Sequence, residues 1–417
     1  MFNRRHLLAT AAALPALSLA SNPDRTPPRW IVVLLRGAVD GLSVCAPYEE
    51  RAYRDERPGI AIAPPGSEHG LIDLGAAGPK FGLHPALAPL MPLWQAGQFG
   101  LLHASGLVGA GRRSHFEAQD ELEAGGRGTL SEGWLARLMA DGAQADAQAV
   151  RALYSGPVRP KLLAGAEASA ALDGGQRAGG GTAPMGGALE RLYAQDPRQA
   201  EVWRAAQRGR QQVSQAMQTG AEMSPGMAGG MAADMAGGVR GDAPDRGAPA
   251  PGSFPDTARR LAQTLRADPR LQFAVLELGG WDTHARQGAG QGQLANRLAP
   301  LGQGLALLAK ELGPLWQDTV VTVLSEFGRT VRENGNAGTD HGHGNAAWLL
   351  GGRVRGGRVL GEWPTLDASA RYQGRDLAIT TDVRALLSGV AAQHLRLSDA
   401  GLSRLFPGYS GASLRVV

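Results

Sequence analysis

L-Q-F-A-V-L-E-L (Leu271–Leu278) and T-V-V-T-V-L (Thr319–Leu324) are short apolar runs rich in β-branched residues, the pattern of strands covered on both faces. Between them Leu294, Leu298, Leu301, Leu305, Leu308 and Leu312 recur at alternating intervals of four and three, one apolar stripe along a long helix. Antiparallel neighbours need only a tight turn, whereas a parallel pair needs a long return. Strand–helix–strand at this spacing is therefore a parallel crossover.

Further strands are expected at Trp30–Leu35 (W-I-V-V-L-L) and Phe99–His103 (F-G-L-L-H). Leu87, Leu90, Met91 and Trp94 fall at helical spacing between Pro85 and Gln95, and a capped helix is expected from Thr381-Asp382 toward Leu395. The fold class is α/β, a central and mostly parallel sheet flanked by helices. Residues 27–417 form one domain on this reading.

The chain has 417 residues, 43% hydrophobic and 19% charged, which is globular composition and leaves room for one large core. Sixty glycines are roughly twice the usual share, and with 26 prolines they imply irregular tracts. Two stand out: a Gly-rich loop at 173–188 and a Gly/Met-rich flexible tract at 219–253. In the second, Met223, Met227, Met231 and Met235 recur at every fourth position. Periodic thioethers suit Cu(I), while the surrounding glycines suit a low-complexity linker.

One cysteine, Cys45, excludes a disulfide framework and a Cys-based zinc cluster. A net charge of +4 does not suggest a nucleic-acid partner, and no long apolar run beyond the N-terminus suggests a transmembrane segment in the mature protein. Residues 1–20, M-F-N-R-R-H-L-L-A-T-A-A-A-L-P-A-L-S-L-A, form an expected signal peptide. It has an arginine pair, an apolar stretch and small residues Ser18 and Ala20 before cleavage. Arg4-Arg5 followed by His6-Leu7-Leu8 fits the twin-arginine type, although Asn3 departs from its pattern. The expected partner is the twin-arginine export machinery and the expected location the periplasm or another exported compartment.

In an open parallel sheet, ligands bind beyond the carboxyl ends of the strands. Asp40, Asp282, His284, Glu326, Asp340, His341 and His343 all follow expected strands, so they are candidate metal ligands converging on one crevice. Carboxylates mixed with neutral imidazoles suit a divalent ion. Each also has a plainer role as turn, cap or loop residue. Ser114 and Glu117 match a capping box at a helix start. Gly41-Leu42-Ser43-Val44-Cys45 lacks the last glycine of a serine-hydrolase elbow. Gly109-Ala110-Gly111 has Ser114 where a dinucleotide fingerprint needs glycine.

R-G-A-V-D-G-L-S (36–43), R-S-H-F-E-A-Q-D (113–120), G-G-W-D-T-H (279–284) and L-S-E-F-G-R-T-V-R-E-N-G-N-A-G-T-D-H-G-H-G-N (324–345), with G-E-W-P-T-L (361–366) and G-R-D-L-A-I-T-T-D-V-R (374–384), resemble domain-of-unknown-function family 1501. The resemblance implies an alkaline-phosphatase-like or sulfatase-like fold, often holding two divalent ions. It implies Asp40 as the first metal-binding aspartate, Ser114 as nucleophile beside His115, Asp282 with His284 as a later ligand pair, and His341 or His343 as the closing histidine. Glu326-Phe327 stands where an Asp-His pair is expected, and phenylalanine cannot ligate a metal. Arg113 and Arg329 would neutralise substrate oxygens, or equally form structural ion pairs. The implied function is an exported metal-dependent hydrolase of phosphate or sulfate esters, using zinc, manganese or calcium on a small anionic ester. The rival is a non-catalytic periplasmic binding or assembly protein on a retired scaffold, a reading that Phe327 favours.

Overall fold

The computed structural model describes residues 27–75, 79–109, 113–128, 130–141, 149–156, 158–172, 193, 196–222 and 245–417. The expected signal peptide, the Gly-rich loop 173–188 and the four periodic methionines lie outside the described residues.

Nine strands form the main sheet: β1 (Arg29–Leu35), β2 (Phe99–Gly106), β3 (Ala152–Tyr154), β4 (Ser169–Ala171), β5 (Phe273–Leu278), β6 (Thr319–Leu324), β7 (Asn345–Gly351), β8 (Val359–Leu360) and β9 (Thr381–Asp382). Their order is β8-β2-β7-β6-β1-β5-β3-β4, with β9 also on β2. Every pairing is parallel except those of β7, which runs against both β2 and β6. Strand β1 lies at the centre, in register with β5 on one side and β6 on the other, Ile31 facing both Ala274 and Val321.

Seven helices of the described residues matter to the argument: α1 (His115–Ala124), α2 (Trp134–Asp141), α3 (Pro197–Glu222), α4 (Phe254–Ala267), α5 (Gln293–Leu312), α6 (Val383–Gln393) and α7 (Asp399–Leu405). Alternation along β1 sorts the two cores. Ile31, Val33 and Leu35 face the layer of α4 and α5, while Trp30, Val32 and Leu34 face the layer of α2, α6 and α7. Every leucine of the α5 stripe is buried, each stabilising by about 1.5–3 kcal/mol. Gly304 lets α5 close on α4, since a Cβ there would sit 2.2 Å from the Phe254 ring.

The crossover 271–324 and the strand over Trp30–Leu35 follow the sequence expectation, as does the helix after Thr381-Asp382, where Asp382 caps α6 by accepting from Arg384 N. Three points differ. Residues 85–95 split into a 3-10 turn, Pro85–Leu90, and a short helix, Met91–Gln95, because Pro89 and Pro92 carry no N–H. Strand β7 passes unnoticed in the sequence because N-A-A-W-L-L-G follows a polar motif directly. The tract 219–253 is structured at both ends. Thr219–Glu222 finish α3, and Arg246 donates to Phe116 O and Asp120. Residues 223–244 lie outside the described part.

Candidate metal centre

Strands β1, β5 and β6 end together, and their following loops bring the site together. After β5 the chain turns through Gly279 and Gly280 (φ +86°) to Trp281, Asp282 and His284. After β6 it continues into Ser325, Glu326 and, past a loop, Asp340 and His341. Helix α1 delivers His115 at its first residue. An isolated bridge between Arg329 and His341 pins the loop back on itself.

Three residues, His115, Asp282 and His341, converge, with His284 at their edge. His341 Nε2 is 2.9 Å from His115 Nε2, 3.0 Å from His284 Nε2 and 3.3 Å from Asp282 Oδ1. Asp282 Oδ1 is 3.0 Å from His284 Nε2, and Oδ2 is 3.6 Å from His115 Nε2. Ligand atoms of His115, Asp282 and His341 all lie within 4.8 Å of one another, close enough for a single transition-metal ion to draw together, and His284 borders this set through His341 and Asp282.

The other ring nitrogens decide the protonation pattern. His115 Nδ1 lies 2.8 Å from Glu326 Oε1, His341 Nδ1 2.8 Å from the Arg113 carbonyl, and His284 Nδ1 3.3 Å from Asp340 Oδ1. Each neighbour is an acceptor, so each Nδ1–H donates outward and each Nε2 presents a lone pair inward. Three lone pairs and a carboxylate facing one another repel unless a cation or proton lies between them. Burial opposes charging His115, yet hydrogen bonds that its ring donates to Asp282 and Glu326 outweigh it and raise its pKa to about 9, so without an ion Nε2 carries the proton that a metal would displace. Burial would raise the Asp282 pKa too, but His115, His341 and Arg329 hold it well below the usual carboxylate range.

Several expected ligands sit elsewhere. Asp40 is fully buried and paired with Arg57, at 2.6 and 3.1 Å, and accepts from Ser43 and Gln287. Arg57, with further bonds to the Val331 and Thr330 carbonyls, turns that carboxylate into a structural tie. Glu326 stands behind His115, also accepting from Gly37 N and Gln119, and orients the imidazole rather than joining the donors. Asp340, exposed, steadies His284 from outside with Asn334. His343 stacks on Tyr372 with ring centroids 3.9 Å apart, which takes it out of the donor set. Phe327 packs against the His115 and His341 rings at 4.9 and 5.1 Å, walling the centre where a further ligand was implied.

The candidate catalytic residues also divide. His115 is a donor. Arg329 is spent on structure, donating to Ala38, Gly37, Thr339 and Trp281 carbonyls and, at 2.5 Å, to Asp282. Arg113 donates to Gln373 and Asp376. Ser114 takes the N-cap position of α1, but its hydroxyl makes no cap hydrogen bond, so the serine half of the expected capping box does not form.

Sequence reasoning missed Asp376. Fully buried, it binds both Arg113 (2.7 Å) and Arg375 (2.8 Å), and Arg375 also donates to the His341 carbonyl at 2.7 Å. Arg113 and Arg375 hold His341 from its two sides, and Asp376 anchors both. Asp376→Asn is expected to weaken metal binding by about ten- to a hundredfold, as loss of a ligand's support does. Titration against a competing chelator measures it, with His343→Ala as the control that stays unchanged.

The model of a family described as protein of unknown function (DUF1501) matches residues 113–404. The chain belongs to this family. No curated protein and no solved structure gives a significant match. The stretch matched to DUF1501 contains His115, Asp282, His284 and His341 together with Ser114, Glu326, Arg329 and Asp376, and it leaves Asp40 and Arg57 outside.

Proposed function

We propose that this DUF1501 chain is a metal-dependent hydrolase of phosphate or sulfate esters, built on one divalent ion held by His115, His284, His341 and Asp282. The observation that carries the reading is the convergence of three imidazole lone pairs on one carboxylate, with every Nδ1 engaged by an oxygen. Three nitrogens and one oxygen suit zinc, with manganese second, and disfavour calcium, which takes oxygen ligands. Such an ion supplies Lewis acidity and lowers the pKa of a hydroxyl or water that reaches it.

The chain's own residues take the other roles. Ser114, next to donor His115 and free of a cap bond, is the nucleophile. Its Oγ bonds to phosphorus or sulfur as the ester oxygen leaves with a proton, and water then releases the oxyanion and restores the hydroxyl. Glu326, the Arg113 carbonyl and Arg329 hold the donors in place. The resemblance to the alkaline phosphatase and sulfatase superfamily supports this chemistry, but its two-ion arrangement does not fit. Arg57 occupies Asp40, and Phe327 is apolar. Export of the folded, loaded protein by the twin-arginine route to the periplasm belongs to the same proposal. Phe327 also favours a second reading, a periplasmic binding or assembly protein without catalysis.

Protein exported by its own signal is expected to contain about one zinc or manganese per chain. It should hydrolyse p-nitrophenyl phosphate or sulfate, with loss on chelation and recovery on resupply. A site that stays empty after resupply overturns the metal reading. Metal bound without ester hydrolysis selects the non-catalytic one.

A further inference from the structure

The arginines around the centre differ in what they hold. Arg329 is saturated by carbonyls and Asp282, and Arg113 and Arg375 share Asp376. Arg297, early in α5, is different. It is half-buried, and among the described residues no carboxylate lies within ion-pair distance of it.

Its guanidinium lies beside the loop that carries Asp282 and His284. A Cβ at Gly280 would come within 3.3 Å of its Nε, so glycine there makes room for it. At the other end of the loop, Gln293 links it to the chain. With the amide oriented to satisfy both neighbours, the oxygen accepts from Arg297 Nη2 at 3.1 Å and the nitrogen donates to Ala285 O at 3.1 Å. Burial lowers the Arg297 pKa and the Asp282 charge opposes this, which places the two within electrostatic reach. Arginine stays charged, and among the described residues most of its five N–H donors have no protein acceptor. A half-buried charge with no carboxylate at ion-pair distance has donors left to offer, and an anion from outside can take them. Arg286, in the same loop, also lacks an acid but is exposed and solvated.

We infer that Arg297 is the anion-recognition residue of this site, donating paired hydrogen bonds to a tetrahedral oxyanion, phosphate or sulfate, at the loop that carries Asp282 and His284. The inference rests on the proposed hydrolase reading for its substrate class, and its test is separable from that reading. Calorimetric titration of the full chain, loaded with zinc, uses inorganic phosphate and, in a separate arm, sulfate; the tighter of the two identifies the ester class.

Arg297→Gln is expected to weaken the preferred anion by roughly ten- to a hundredfold with metal content unchanged. Arg297→Lys, which keeps charge but loses the fork, should recover part of the affinity and provides a folded comparison should the glutamine variant be unstable. Unchanged anion affinity in either variant overturns the inference. So does a large fall in melting temperature with anion binding intact, since it would mean that Arg297 pairs with an acid of its own chain. A wild-type chain that holds no metal, yet binds phosphate through Arg297, sinks the hydrolase reading and keeps the anion site.

Discussion

His341→Ala is expected to strip the metal, whereas His343→Ala, two residues further on, leaves it in place. Structural zinc sites bind with roughly 10–16 kcal/mol, so each of four donors accounts for about 2.5–4 kcal/mol. Loss of one donor then weakens binding on the order of a hundred- to a thousandfold. His341 is the best donor to remove because it touches all three others, at 2.9, 3.0 and 3.3 Å. The variant should melt, without metal, no lower than the metal-free parent, because removing one of three crowded imidazoles relieves repulsion. The parent gains melting temperature from added zinc and the variant gains none. Equal metal retention by His341→Ala and the parent would refute the four-donor centre. Loss of metal in His343→Ala but not in His341→Ala would restore the ligand choice that Tyr372 stacking argues against.

That D-H-G-H contains one donor and one bystander shows where sequence stops being informative. The α5 stripe and the β1, β5 and β6 runs are legible because burial imposes a period, of 3.6 or of 2, on local residues. Asp282, His284 and His341 are legible as polar residues beyond strand ends for the same reason. Which of His341 and His343 faces the centre is set by the Arg329 bridge and by Gly342, where a Cβ would meet the Arg329 backbone at 2.4 Å. Neither constraint leaves a periodic trace. Asp40 is drawn away by Arg57, on an irregular segment 17 residues later, and Arg113 and Asp376 meet across 263 residues. Pairings of that kind depend on how loops cross at the sheet edge, and loop crossings follow from tertiary packing. The arginines show the same limit. Arg329 looks like an anion binder in the sequence while Arg297 draws no notice there, and only their partners separate a structural clamp from a charge without a paired carboxylate.

Ser114→Ala should abolish ester hydrolysis, by about a thousandfold or more in kcat, while the protein keeps its metal and its stability. The stability half follows from the cap. An N-cap serine that bonds to the helix start is worth about 1 kcal/mol, but the Ser114 hydroxyl makes no such bond, so the expected loss is below about 0.5 kcal/mol. The metal half follows from the proposed ligands, His115, His284, His341 and Asp282, which include no serine. A structural role for Ser114 predicts the reverse, a lower melting temperature with kcat intact. A metal-loaded Ser114→Ala protein that turns over ester at the parent rate would remove the serine from the chemistry. Hydrolysis would then have to proceed by direct attack of water at the centre, a choice that trapping of a phosphorylated or sulfated Ser114 in the parent separates, since one solvent oxygen enters the product by either route.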